Sequence, residues 1–208
     1  MKGFLSGIAI FFFIAPAKLS AQYLVRYESG HLLGDTTRPA DPFVFFLATN
    51  GDTVSYEFPA MPGKDSLPRL PLGKQFTMHS TYTNYASGLQ LYVAAPRDLG
   101  KLRIADTVKK RNWQLLEEQI TIAGYACRKA VYTDSAETIE AWYAAALPAG
   151  MGIMGITGLP GTVLQVYRPA SNYLTVATSV LTKLLPIIMP QKGKWVTMEQ
   201  YKAMRRGH

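Results

Sequence analysis

Residues Met151–Val166, MGIMGITGLPGTVLQV, mark the point where the chain turns from loop to strand. The stretch begins with closely spaced glycines and ends in an apolar run. Glycine adopts backbone angles that other residues resist and proline fixes its own φ, so Gly158-Leu159-Pro160-Gly161 predicts one sharp corner. The following TVLQV alternates sides and contains β-branched residues, which is typical of a half-buried strand.

Strand-like segments separated by turn residues surround this corner. Gly124 stands at the first junction, Asp134 begins the second, and Pro169 begins another. Short spacing with turn chemistry between strands predicts an antiparallel meander, and no helical run long enough for a βαβ unit interrupts it. The predicted strands are Trp113–Glu118, Tyr125–Thr133, Thr138–Ala144, Gly161–Tyr167 and Tyr173–Val180.

The first half of the chain also predicts β structure. Asn50-Gly51-Asp52 separates two strand-like runs, and Asn-Gly is a strong hairpin signal because both residues tolerate positive φ. The predicted strands here are Tyr23–Glu28, Phe43–Thr49, Thr53–Phe58, Gln75–Thr83, Leu89–Ala94 and Lys101–Ile104. Pro59–Lys74 is rich in proline and predicts a long loop, either a binding lid or an exposed connection.

The C-terminal segment predicts a short amphipathic helix. Thr197 followed by Gln200 fits a capping box, and Trp195, Met198 and Tyr201 share helical spacing. We expect the apolar side of this helix to cover one end of the sheet. The predicted fold is therefore a single mainly β domain, a curved antiparallel sheet or open β-barrel with a short C-terminal helix.

The N-terminus has the pattern of a secretory signal peptide. Lys2 precedes the apolar run Phe4–Ala17, and the small residue Ala21 marks the expected cleavage point. An uncleaved anchor is the alternative, but the run is shorter than the roughly 20 residues needed to span a bilayer. We therefore expect a signal peptide at 1–21, one domain at 22–208, and export to the periplasm, cell envelope or extracellular space, with no membrane span after cleavage.

Composition narrows the classes of function. Of 208 residues, 48% are hydrophobic and 17% charged, which argues against disorder. Without Lys2 and Lys18 the chain has 20 basic and 14 acidic residues, and the basic ones are scattered apart from small clusters such as 109–111. A nucleic-acid binder more often aligns such charges with stacking aromatic residues. We expect a solvated basic surface and no nucleic-acid partner.

Cys127 is the only cysteine, so it forms no internal disulfide. A lone thiol in an oxidising compartment survives best when it is buried, and we expect burial. The alternatives are a reactive thiol or an intermolecular bridge. A nucleophilic pair of Cys127 and His79 stays open because such partners meet only in space, although nothing in the sequence marks the thiol as activated.

Enzyme and metal patterns are not evident. The three histidines His31, His79 and His208 are far apart and lack metal-ligand spacing. No G-x-S-x-G elbow occurs, and Glu118 and Glu140 fit solvated strand faces better than an acid–base pair. The glycines near Met151 precede a strand, whereas phosphate-binding loops precede a helix. We expect no catalytic residue, no metal site and no cofactor.

Four motifs in order resemble the GLPGLI family of exported Bacteroidetes proteins. They are Trp113–Ala130 with its Gly124-Tyr125 turn, Ala141-Trp142-Tyr143, Leu147-Pro148, and Gly158-Leu159-Pro160-Gly161. The chain departs from the family where Thr162 and Val163 replace Leu-Ile, and it lacks the family's Gly-Arg and Gly-Pro pairs. The resemblance implies export and implies no established activity.

The motif residues allow a structural and a ligand-binding interpretation. Trp142 and Tyr143 are neighbours on a strand, so we expect Trp142 in the core and Tyr143 at a rim. Tyr125, Cys127 and Trp142 predict a buried trio on adjacent strands. If the chain has a ligand site, the candidates are Tyr125, Cys127, Trp142, Gly158, Leu159, Pro160 and Gly161.

The function that the sequence favours is non-enzymatic binding of an apolar ligand or a partner segment. An aromatic-rich curved sheet without a catalytic constellation motivates this hypothesis. A structural module of an outer-membrane protein assembly is the first alternative, because the chain has a proline-rich loop and a basic surface. A thiol enzyme that uses Cys127 is the second.

Overall fold

The computed structural model describes residues 23–34, 37–50, 53–59, 80–149, 152–183 and 185–206. The predicted signal peptide, residues 60–74 of the proline-rich loop, His79 and His208 lie outside these ranges. Gly51 and Asp52 of the hairpin turn lie outside them as well, as do Gln75–His79 of one predicted strand.

The described chain consists mainly of strands, as predicted. The elements are β1 Tyr23–His31, β2 Phe43–Thr49, β3 Val54–Pro59, β4 Ser80–Asn84, β5 Leu89–Ala94, β6 Leu102–Thr107, β7 Gln114–Ile122, β8 Tyr125–Thr133, β9 Thr138–Ala144, β10 Thr162–Arg168, β11 Tyr173–Thr182, β12 Lys194–Thr197 and the helix α1 Met198–Arg206. A single 3-10 turn at Pro169–Ser171 joins β10 to β11. The predicted bounds of β2, β5, β8 and β9 are confirmed without change.

All the described strands belong to one unclosed sheet, in the order β12-β6-β5-β4-β3-β2-β1-β11-β10-β9-β8-β7. Two antiparallel meanders, β2–β6 and β7–β11, meet at β1, which pairs with β2 on one side and β11 on the other. The only parallel pair among these strands joins β12 to β6. The predicted antiparallel meander is confirmed, and the first strand of the chain holds its two halves together.

The two faces of the sheet have separate cores. The inner face, defined here as the face that carries Tyr27, Leu47 and Glu57, is covered by the glycine loop, residues 152–161. The loop contributes Ile153, Ile156 and Leu159 to this core. On the outer face, Leu24, Phe46 and Phe58 pack with Leu185 from the chain after β11. Both faces of β2 are therefore covered, which explains its nearly continuous apolar sequence.

The helix α1 covers the β6–β12 end of the sheet, as predicted. Met198, Tyr201 and Met204 pack against a small core of Leu102, Ile104 and Val196. The capping box is confirmed: the Gln200 N–H donates to Thr197 Oγ1 at 3.1 Å, and the Thr197 N–H donates to Gln200 Oε1 at 2.9 Å. These two bonds satisfy donors that the first helical turn leaves unpaired. In the part of the chain that the structure describes, no helix is long and apolar enough to cross a membrane.

Candidate functional site

The base of the glycine loop is the predicted corner, Gly158-Leu159-Pro160-Gly161. Gly158 has a φ of 89°, a left-handed conformation that favours glycine. Gly161 is required for a different reason, because a Cβ there would lie 2.3 Å from the carbonyl oxygen of Ala144. Between them Leu159 is 2% exposed and anchors the corner in the core. The corner is confirmed, and its two glycines act by two mechanisms.

The tip of the loop is held by polar contacts from the first half of the sheet. Met154 and Gly155 both have positive φ, at 53° and 74°. The Met154 N–H donates to Glu57 Oε2 at 2.8 Å, which joins β3 to the loop. A Cβ on Gly155 would come within 3.9 Å of the Gln90 side-chain amide on β5. The loop thus spans the two meanders, with its core residues in one and its tip over the other.

The segment between β6 and β7 clasps the loop from the side. Arg111 Nη1 donates to the Gly155 carbonyl oxygen at 2.6 Å, and Trp113 Nε1 donates to the Thr157 carbonyl oxygen at 2.9 Å. In return, Thr157 Oγ1 donates to the Lys109 carbonyl oxygen at 3.2 Å. These three hydrogen bonds fix the position of residues 109–113 against residues 155–157 of the loop.

Glu57 is the charged group most affected by this environment. Burial raises the pKa of its carboxyl to about 7, and the hydrogen bond from Met154 N–H opposes the shift. Burial also raises the pKa values of Tyr27 and Tyr85, and the Glu57 carboxylate adds to both. The inner face therefore contains an acid whose charge changes near neutral pH beside two phenols.

A pocket of about 400 Å³ opens where the loop base meets the clasping segment. Its walls come from three separate stretches of chain: Tyr85 after β4, residues 108–112 after β6, and Thr157-Gly158 of the loop. Tyr85 is fixed there by a 2.9 Å hydrogen bond between its hydroxyl and that of Ser55. This pocket is the site that we assign as the candidate functional site, and it includes Gly158 of the predicted residues.

The other predicted site residues are structural in their placement. Cys127 is fully buried, its thiol donates to the Tyr125 carbonyl oxygen at 3.4 Å, and burial raises its pKa to about 11. Trp142 is 9% exposed and lies under the Lys129 ammonium, 5.7 Å from the ring centre. Tyr125 is half-buried against the same core. Leu159, Pro160 and Gly161 form the corner and do not line the pocket.

The expectation that Tyr143 lies at a rim is wrong. Tyr143 is 3% exposed, and its register partner on β10 is Val163, which is fully buried. Adjacent residues on a strand point to opposite faces, but both faces of β9 are covered. The alternation of Trp142 and Tyr143 therefore marks two buried faces.

Sequence reasoning did not find the residues that build the site. Tyr85, Lys109, Arg111 and Asn112 line the pocket, and Glu57 holds the loop tip. Two signals were available in the sequence: the basic cluster 109–111, and Glu57, a lone acid within the strand Val54–Pro59. A charge among strand residues that are mostly buried is uncommon unless it is paired or functional.

Within the described ranges, no three His, Cys, Asp or Glu side chains come together as metal ligands.

The predicted solvated positions of Glu118 and Glu140 have a common partner. Lys129 Nζ lies 3.5 Å from a Glu118 oxygen and 3.1 Å from a Glu140 oxygen. The two acids thus flank a lysine on neighbouring strands, an arrangement that stabilises the sheet surface.

Comparison with known proteins gives the chain a family. The pattern described as "N-glycanase peptide, N-terminal domain" matches residues 92–197, just over half of the chain. The chain belongs to this family. The match runs from β5 to β12 and so contains the clasping segment and the glycine loop. No curated protein matches the chain in a sequence comparison.

Solved structures of a longer protein have the same fold. Two structures titled as PNGF-II, in the P21 and C2 space groups, match with TM-scores of 0.62 and 0.64 at 19% and 20% identity. Each match covers 88% of this chain and only 33% or 32% of PNGF-II. The chain therefore spans about a third of the length of these neighbours, and at this identity the likeness concerns the fold alone.

Proposed function

We propose that this chain is an exported, non-enzymatic binding domain, and that the pocket beside the glycine loop receives a segment of a partner protein. The observation that carries the proposal is the construction of the pocket. Its walls come from three stretches of chain, and the hydrogen bonds of Arg111, Trp113 and Thr157 join two of them. A preformed site costs less ordering entropy when it binds.

The charged and amide side chains of the pocket wall favour a partner segment that carries polar groups. The apolar side chains of the loop, Ile153, Ile156 and Leu159, are already buried in the inner core. The open pocket is lined instead by Tyr85, by Asn112 and by the basic residues of the clasping segment. Much of the remaining pocket wall is apolar, so the segment that fits it carries polar and apolar groups together.

Family membership suggests the kind of partner. An N-glycanase acts, by its name, on N-linked glycans, and the family is that of an N-terminal domain of such a protein. We propose that the partner is an N-glycosylated polypeptide. The resemblance to the GLPGLI family, whose four motifs lie within the matched region, supports export as part of the same proposal.

The experiment uses the full chain and an N-glycosylated protein on a biosensor surface. The deglycosylated form of the same protein and a hydrophobic fluorescent dye in solution are the comparison ligands. Asn112→Trp, at an exposed position of the pocket, should weaken binding at least about tenfold by filling it. Gln191→Trp adds the same ring at a remote exposed position and should have no effect. Equal binding by both variants, or uptake of the dye alone, would contradict the proposal.

A second candidate function is interaction through the β7 edge of the sheet. Among the described strands β7 pairs only with β8, and Leu115 and Ile120 on it are 52% and 37% exposed. Exposed apolar residues on an edge strand favour pairing with another chain, as a module of an outer-membrane assembly would require. Leu115→Lys together with Ile120→Lys should then abolish co-purification with envelope proteins and leave the glycoprotein interaction intact.

The thiol-enzyme alternative has a direct test at Cys127. A buried thiol with a raised pKa is a poor nucleophile at neutral pH. Iodoacetamide at about pH 8 should therefore leave the folded chain unmodified and label it fully in concentrated guanidinium. Rapid labelling of the folded chain, followed by mass spectrometry, would revive the enzyme hypothesis.

A further inference from the structure

The basic wall of the pocket is the feature that indicates what kind of group it binds. Lys109, Lys110 and Arg111 are consecutive and all line the pocket. The Arg111 guanidinium already has partners within the fold. It donates to the Gly155 carbonyl oxygen, its Nη2 lies 3.9 Å from a Glu137 oxygen, and its Cζ lies 5.6 Å from the centre of the Tyr132 ring. The two lysines are exposed, and in the described chain neither ammonium has a carboxylate within 4 Å.

Among the described residues, the lining of the pocket has three basic side chains and no acidic one, and the acids that act on Arg111 are Glu137 and Asp134. Glu137, the acid nearest to Arg111, is shared with Arg168, whose Nε lies 3.6 Å from its other oxygen. Glu57 is the acid whose field reaches Tyr85, but it lies on the inner face, half-buried and hydrogen-bonded to the loop tip. A cleft with unpaired cations at its wall concentrates anions, and the effect weakens as salt rises.

The backbone of the wall keeps the lysines at the mouth of the pocket. The Lys109 carbonyl oxygen accepts from Thr157 Oγ1, and Arg111 is tied to Gly155 two residues further along. Lys109 and Lys110 thus extend from a fixed backbone beside Asn112, whose amide can donate. Charged and neutral donors at one opening match an oxyanion, which accepts several hydrogen bonds.

We propose that this pocket binds an oxyanion of the ligand, a carboxylate above all, with Lys109 and Lys110 as its charged contacts and Arg111 as a positioning residue that holds the wall against the loop. The proposal rests on the proposed function, because it names the chemistry recognised at the same pocket. The carboxylate has two sources on a glycosylated polypeptide, an acidic side chain or an acidic sugar.

The test measures the affinity of the full chain for two matched pairs of probes by calorimetry at low and physiological salt. The peptide pair is (Glu-Gly)₃ and (Gln-Gly)₃, and the sugar pair is trigalacturonate and α-1,4-galactotriose. We expect at least one acidic probe to bind about tenfold or more tightly than its neutral twin, with the preference reduced at higher salt. The pair that shows the preference identifies the source of the carboxylate.

Charge-matched variants locate the effect. Lys109→Gln with Lys110→Gln should abolish the preference, whereas Lys192→Gln with Lys194→Gln, two exposed lysines towards the other end of β6, should retain it. If neither acidic probe binds more tightly than its neutral counterpart, or if both double variants keep or lose the preference together, the oxyanion site does not exist. Glycoprotein binding that persists in Lys109→Gln/Lys110→Gln would then leave the proposed function standing without it. If the chain binds an acidic probe but not the glycoprotein, the oxyanion site stands and the proposed function fails.

Discussion

The base and the tip of the glycine loop are held by different kinds of force. At the base, Gly161 lies against the backbone of Ala144 so closely that no side chain fits, and neighbouring Leu159 and Val163 are buried. At the tip, Met154 is 40% exposed, and hydrogen bonds to Glu57 and Arg111 hold the backbone. The base is thus packed directly against the β9 end of the sheet. The tip turn is close-packed within itself, at Gly152 against the Ile156 carbonyl, and hydrogen bonds connect it to the rest of the protein.

Within ten residues, one end of the loop is insensitive to pH and salt and the other end is sensitive to them. Close packing of backbone on backbone does not depend on pH or salt, and it tolerates no added atom. Hydrogen bonds to an acid with a raised pKa do depend on pH. We infer that packing at the base determines whether the loop folds. The hydrogen bonds at the tip make the stability of the loop depend on pH.

The largest effect is expected from Gly161→Ala. The new Cβ would meet the Ala144 carbonyl oxygen at 2.3 Å and its carbon at 2.6 Å, so β9 and β10 must separate. We expect a loss of about 3 kcal/mol or more in the free energy of unfolding, measured by chemical denaturation. Pro160→Ala, an exposed change one residue away, is the control and should cost less than about 1 kcal/mol. Similar costs for the two would show that the base is not closed.

The tip is tested by the pH dependence of Glu57→Gln. The pKa of Glu57 is raised to about 7 in the folded chain, so the folded state binds the proton more tightly than the unfolded state does. Stability is therefore full below the unfolded pKa of roughly 4.5 and falls as pH rises through about 7. We expect a loss of about 1–2 kcal/mol between pH 5 and pH 8, discounted because the carboxyl is half-buried.

Glutamine keeps the oxygen that accepts from Met154 N–H and removes the titration. Denaturation of Glu57→Gln across the same pH range should therefore lack this slope. Glu199→Gln, an exposed change on α1, should keep the slope of the parent chain. If the slope survives in Glu57→Gln, the tip is not the pH-sensitive end of the loop.

The smallest effect is expected from Gly158→Ala, at the first residue of the base. Gly158 has a φ of 89°, but the nearest atom to an added Cβ is Trp113 Nε1 at 3.8 Å, so the cost is backbone strain without a clash. We expect a loss of about 1 kcal/mol. A cost equal to that of Gly161→Ala would mean that the closed region extends to Gly158, and equilibrium unfolding of both variants in one buffer decides this.

Strands that end at recognisable turn residues could be predicted from the sequence, and strands without such residues could not. Tyr125–Thr133 and Thr138–Ala144 were predicted to the residue, because alternation and an acidic turn between them are both local. β7 extends to Ile122, beyond the predicted end at Glu118, since its pairing with β8 continues to the Gly124 turn. β12 was missed, because its four residues form a strand only by pairing with β6.

The candidate site was predictable only in its glycines. The corner Gly158–Gly161 follows from residue types that favour special backbone angles. The contacts that hold the loop beside the pocket join Met154 to Glu57 across 97 positions and Gly155 to Arg111 across 44. Nothing local connects such residues, so a sequence alone does not pair them.

The amino-acid sequence alone determined the strand content, the hairpins, the helix cap and the corner of this protein, because periodicity, turn residues and glycine conformations act over a few neighbouring residues. The tertiary structure alone decided that β1 joins the two meanders, that both faces of β9 are buried, and that Glu57, Tyr85 and Arg111 meet the glycine loop. These features depend on which distant surfaces cover one another, and that is settled by burial of the whole sheet rather than by the preference of any segment.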